Sequence, residues 1–242
     1  MTRSASTGIP ALSGPKQLPA ALSLVAGLTD VTSWLTLGGL FAAHITGNLV
    51  VISADFVRGV VPGTSQLLAV PMFVVVGAIG YRADRMLRRY RARASSLLAI
   101  QAIFLLAACW IAVQSNASNH PRGHGDLGVG MLAVTAMAFQ SAMLHLMAGP
   151  VPTTAVMTGN LISATLALTA MISGPDAEKV NALERWHGTW PLLLGFLAGC
   201  VLGAVAVLKL SDWAWSLPAA VSIALCYWQA RHDFSLGAAV HV

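Results

Sequence analysis

Residues 27–52 read GLTDVTSWLTLGGLFAAHITGNLVVI, and residues 138–163 read AFQSAMLHLMAGPVPTTAVMTGNLIS. Each stretch leads a long apolar segment with one polar residue, Asp30 or Gln140, into a glycine-containing break, then closes on the same tripeptide, Thr46-Gly47-Asn48 or Thr158-Gly159-Asn160. Both copies lie in hydrophobic sequence and not in a polar linker. The doubling reads as two copies of one membrane unit. An interrupted helix at corresponding places in two halves is the sequence mark of a transporter-type site.

The composition sets the class. Of 242 residues, 56% are hydrophobic and 10% charged, with mean hydropathy +0.71, whereas a soluble domain carries charge at about 25% of positions. Apolar runs at 18–41, 66–79, 95–113, 127–147, 190–208 and 213–227 have lengths suited to a hydrocarbon core that takes about 20 residues to span. Two further runs, 45–57 and 151–172, each hold a Thr-Gly-Asn. Residues 1–17 and 233–242 read as tails around a single transmembrane domain, 18–232. Its repeats fall at about 18–113 and 127–228.

Charge suggests a topology. If all eight runs cross, the fourteen basic residues divide evenly between the two sides. If the two Thr-Gly-Asn runs dip in and return, six helices cross and both termini are cytoplasmic. Eleven basic residues then lie inside, among them the six arginines from Arg82 to Arg93, against Arg58, Arg122 and Lys209 outside. That asymmetry is the positive-inside pattern. The thirteen residues of 45–57 are also too few to span. The expected fold is therefore all-α: two inverted repeats of three transmembrane helices, each with a re-entrant or broken half-helix at Thr-Gly-Asn.

The repeated motif supplies the candidate site. Non-helical backbone at membrane depth needs protein or water to satisfy its polar groups. Thr and Asn are capping residues and Gly permits close approach. Half-helix N-termini with free N–H groups near the midplane would suit an anionic or polar group. Asp30, midway along the first run, stands where an ionisable group is costly and usually functional. The expected substrate-binding set is Asp30, Thr46, Gly47, Asn48, Gln140, Thr158, Gly159 and Asn160. His44 and His145 flank the two breaks and belong to the residue type that titrates near neutral pH.

Other features carry packing more than chemistry. Gly195, Gly199 and Gly203 recur every four residues, with Gly77 and Gly80 a shorter pair, and such stripes let helices approach closely, within one chain or across a homodimer. Trp186, Trp190, Trp213, Trp215 and Trp228 fall near the ends of runs, as interfacial anchors do. Cys109, Cys200 and Cys226 lie in apolar runs as packing residues. The segment 115–126 holds His120, His124 and Asp126, a set we read as a solvated loop and not a metal site. No phosphate loop, zinc-protease pair, nucleophile elbow or carboxylate cluster occurs, so no enzyme and no cofactor is expected. The basic excess is a bilayer signal, not one for nucleic acid.

The stretches 26–50 and 139–168, with Gly27-Leu28-x-Asp30 ahead of Thr-Gly-Asn, resemble the two signature regions of the YoaK-like family of small bacterial membrane proteins. The resemblance runs over nearly the whole chain after residue 17. It implies about six membrane helices, a bacterial inner-membrane location and no established substrate. The second half departs from the family pattern, carrying Gln140-Ser141-Ala142, His145 and Thr158-Gly159-Asn160. Function is expected to be that of a small secondary transporter or channel for a polar or anionic solute, with a non-transporting scaffold as the alternative.

Overall fold

A computed structural model describes residues 17–87, 93–119, 124–147 and 157–238, and these residues are helical with no strand among them. The helices are α1 (Gln17–Thr36), α2 (Ile45–Val57), α3 (Thr64–Leu87), α4 (Arg93–Ser115), α5 (His124–Met147), α6 (Met157–Ser173), α7 (Asp176–Leu210) and α8 (Ser216–Ala238). Five segments are long and apolar enough to cross a bilayer; the last, Asp176–Arg231, holds both α7 and most of α8. α2 and α6, with 13 and 17 residues, are shorter apolar helices.

α1 is the buried centre. Its Ser23, Thr29, Asp30, Thr32, Ser33 and Thr36 are all withdrawn from the surface, although they are the residues a surface helix would expose. Neighbouring backbone takes up several of them: Thr29 and Thr36 donate to the carbonyls of Val25 and Thr32, at 2.8 and 2.7 Å. α1 lies most extensively against α7, and α3 against α5; α4 packs on both α5 and α8. Apolar side chains of α1, α3, α4 and α5 fill the space between them, with Leu40 and Ala42 of the break joining that core. Outward faces stay apolar, as at Val50, Phe56, Leu166 and Leu208. In a membrane such faces meet lipid instead of water.

The closeness of α1 and α7 comes from glycine. A Cβ on Gly27 would stand 2.3 Å from the Phe196 carbonyl oxygen, one on Gly195 2.4 Å from that of Ala20, and one on Gly199 2.3 Å from that of Leu24. The glycine stripe on α7 thus lets backbone meet backbone within the chain. Gly80 meets Ala142 of α5, while nothing lies within 4 Å of a Cβ on Gly77.

Several boundaries depart from those read off the sequence. α1 stops at Thr36 and not near residue 41, because Gly38 and Gly39 follow with φ of 69° and 93°, a region open to glycine. α3 runs on to Leu87 and α4 begins at Arg93, so Arg82, Arg85 and Arg93 are helical and the expected arginine loop is shorter; Arg88, Arg89 and Arg91 lie outside the described residues. His124 and Asp126 open α5, with His120 outside the described residues. α7 starts at Asp176, placing Lys179 and Arg185 on a helix about 52 Å long. That exceeds a hydrocarbon core of about 30 Å. Trp215 is fully buried, not interfacial, and its Nε1 donates to Thr36 Oγ1 at 3.2 Å.

That indole ties the end of α1 to the 3-10 turn Ser211–Trp215 between α7 and α8. In the same turn Asp212 accepts from the Ser118 backbone N–H at 2.8 Å and its hydroxyl at 3.0 Å, joining the short turn after α4. Gln66 Nε2 donates to the Gly39 carbonyl at 2.9 Å while Gln66 Oε1 accepts from Gly63 N–H at 3.0 Å. The reach back to residue 63 is the half of a capping box that starts α3. The ends of α1, α4 and α7 thereby meet the starts of α3 and α8 at one pole.

Candidate functional site

The two tripeptides occupy the same register. Each helix begins one residue before the threonine, at Ile45 and at Met157, so Thr, Gly and Asn are its second to fourth residues. Burial repeats too: Thr46 and Thr158 are exposed, Gly47 and Gly159 half-buried, Asn48 and Asn160 buried.

In the first copy the tripeptide grips the extended chain before it. Asn48 Oδ1 accepts from Phe41 N–H at 2.9 Å, and Asn48 Nδ2 donates to the Phe41 carbonyl at 2.8 Å. One side-chain amide thus satisfies both backbone groups of a residue outside any helix, a requirement where water is scarce. Gly47 makes room for the ring of the same residue, since a Cβ there would come within 2.8 Å of Phe41 Cδ2. Phe41 in turn stacks on Trp34, ring centroids 4.6 Å apart. Neither Thr46 nor Asn48 caps α2; the residue at the cap position is His44, which makes no side-chain capping bond.

The charge that holds the segment ahead of α2 comes from α1. Asp30 is 3% exposed, and its Oδ1 accepts from the backbone N–H of Ala42 at 2.9 Å and of Ala43 at 2.6 Å. Asp30 lies six residues, about 9 Å, before the end of α1. The chain after Gly39 therefore doubles back along α1, and Ser33 Oγ donating to the Leu40 carbonyl at 2.8 Å marks the same return. A carboxylate of the chain thus occupies the N–H groups of residues 42 and 43 in the extended segment, whereas the N–H groups of the α2 first turn begin at Ile45.

The second oxygen of Asp30 faces His44. Asp30 Oδ2 lies 2.5 Å from His44 Nδ1, and the histidine side chain keeps 25% of its surface exposed. α7 closes the other side: the Phe196 ring stands edge-on to the imidazole with centroids 4.9 Å apart. Gly27, whose missing side chain admits Phe196 and Cys200 backbone, is one turn from Asp30. The arrangement holds an acid and an imidazole together, one sealed and the other reaching the surface.

Gln140 lies in a group of buried amides. Its Nε2 donates to the Leu22 carbonyl at 3.0 Å and its Oε1 accepts from Gln101 Nε2 at 2.8 Å, while Gln101 also reaches Ser222 Oγ at 3.2 Å. This cross-link joins α1, α4, α5 and α8 and lies two turns from Asp30 along α1. Asn160 is buried and partnered; the chain before α6, residues 148–156, lies outside the described residues, and His145 is exposed in the last turn of α5. Sequence reasoning passed over Phe41, Phe196, Gln101 and Ser222. Gln101, a lone amide in the apolar helix α4, was the one with a visible signal.

Residues 18–228 match the model of a family described as "Protein of unknown function (DUF1275)". No curated protein matches, and no solved structure does.

Proposed function

Because the chain belongs to the DUF1275 family, described as proteins of unknown function, we propose its role from geometry: a small secondary transporter or channel for a small polar solute. The observation that carries the proposal is Asp30, a buried carboxylate holding broken backbone inside an apolar helical bundle. Charge at such depth is expensive and marks pathways and relays. An anionic solute would meet the Asp30 charge at the first break, so the site favours an uncharged polar solute there. Thr46, Gly47, Asn48 and their counterparts Thr158, Gly159 and Asn160 are the remaining binding candidates, with Gln140 in the nearby amide cross-link.

The membrane arrangement we infer has six crossings, α1, α3, α4, α5, α7 and α8, with α2 and α6 re-entrant. It is supported by Gln66 at the start of α3 bonding to Gly39 just past the end of α1: the chain between them, α2 included, returns to the pole it left. Inverted repeats exchanging α1–α4 with α5–α8 are supported by the matching contacts of α1 with α7 and α5 with α3. With both termini cytoplasmic, the basic ends of α3 and α7 face inward. A YoaK-like protein of the bacterial inner membrane is the setting this reading assumes.

Reconstituted protein should move at least one member of a broad panel of small polar solutes across liposomes, and Asp30→Asn should slow it at least tenfold. Failure across the panel, or an Asp30→Asn protein as fast as wild type, sinks the reading. The second reading, a non-transporting scaffold, is favoured by Asn48 and Gln140 having their hydrogen bonds met within the chain.

A further inference from the structure

A nitrogen and an oxygen that both carry lone pairs repel one another at 2.5 Å unless a proton lies between them. The contact of His44 Nδ1 with Asp30 Oδ2 therefore holds one proton, and with no proton on Nε2 the two side chains together carry a single negative charge. Among the described residues, His44 is the one cation-capable group in contact with Asp30, and the other oxygen has backbone N–H partners at residues 42 to 44. Of the other described groups near the pair, α7 offers the Phe196 ring and Cys200, packed on Gly27, and the α1 hydroxyls of Thr29 and Ser33 are uncharged. A net charge inside an apolar bundle is costly, and one more proton removes it. Nδ1 is occupied, so the open position is Nε2, on a side chain a quarter exposed.

We propose that Asp30 and His44 form a proton-binding site loaded at His44 Nε2, and that this proton is the ion coupled to solute movement. The step forms one N–H bond and breaks none within the protein, turning the pair from a net negative charge to a neutral carboxylate–imidazolium pair. Because the same carboxylate holds the N–H groups of Ala42 and Ala43, the charge change is delivered to the backbone that starts α2. The coupling part rests on the transport reading; the proton site itself stands apart from it.

Proton uptake by purified protein, measured as the pH falls from about 8 to about 5, separates the two, since that is the range in which histidine changes charge. Wild type should take up about one proton per chain more than His44→Gln, and Asp30→Asn should lose most of that difference, because loading would then leave an uncompensated buried cation. An Asp30→Asn protein with the full wild-type uptake overturns the site, showing a solvated histidine independent of Asp30. Should Asp30→Asn not fold, ring-nitrogen chemical shifts of labelled wild type, assigned by their loss in His44→Gln, read the same question. Nε2 alone changing supports the site, and Nδ1 losing its proton overturns it. In liposomes that move a solute, a proton gradient should drive wild type but not His44→Gln; a gradient that drives both overturns the coupling. Uptake of the proton with no solute moved supports the site and overturns the transport reading.

Discussion

At the scale of single residues, Asp30 and Asn48 do the same work by different chemistry. Each satisfies backbone that no helix can satisfy, Asp30 at residues 42 and 43 and Asn48 at residue 41. Removing the Asp30 acceptor orphans two buried N–H groups, each worth about 1–3 kcal/mol. Asp30→Ala should therefore lower thermal stability sharply. Asp30→Asn keeps one oxygen for the two N–H groups and can donate to His44 in its other tautomer, so it should melt much closer to wild type. Equal melting of the two variants in a detergent unfolding assay would show that the carboxylate does not hold the break. Thr-Gly-Asn is thereby explained in its first copy: Asn clasps the Phe41 backbone and Gly admits the Phe41 ring. The exposed Thr46 has no such duty in the fold.

At the scale of helices, the α1–α7 contact is set by backbone approach, and a methyl group is enough to disturb it. Gly27→Ala or Gly199→Ala places a Cβ 2.3 Å from a backbone oxygen that has no rotamer to escape by. Overpacking of this kind costs about 1–3 kcal/mol, and it should shift Phe196 and Cys200 away from the Asp30–His44 pair. Gly77→Ala fills open space and should be neutral or stabilising by up to about 1 kcal/mol, the helix propensity of alanine over glycine. Melting temperatures of the three variants side by side check this; parity of Gly199→Ala with Gly77→Ala would refute the close approach. The four-residue glycine spacing announced tight packing in the sequence, but its partner did not follow. A stripe on α7 fits any small-residue face equally well, and only the folded chain brings Gly27 opposite Gly199.

At the scale of the whole molecule, the poles decide topology. Cysteines introduced at Arg58 and Lys209, both exposed, should react with a membrane-impermeant thiol reagent from one side, and one at Lys179 from the other. Arg58 and Lys179 labelling from the same side would break the six-crossing arrangement. The sequence alone determined that the chain is an apolar helical protein of the membrane class, that one tripeptide occurs twice, and that a helix starts beside each Thr-Gly-Asn. Those facts reside in composition, segment length and a repeated string, which are local quantities. Tertiary structure alone decided what the motif's neighbours do: that Asp30 holds the backbone of residues 42 and 43, that His44 meets it, that Gln140 joins Gln101, and that Trp215 is buried. Those outcomes depend on which helices touch and on how far the chain doubles back after Gly39. Both are set by packing among segments distant in sequence, and an apolar helix reads much the same whichever neighbour it meets.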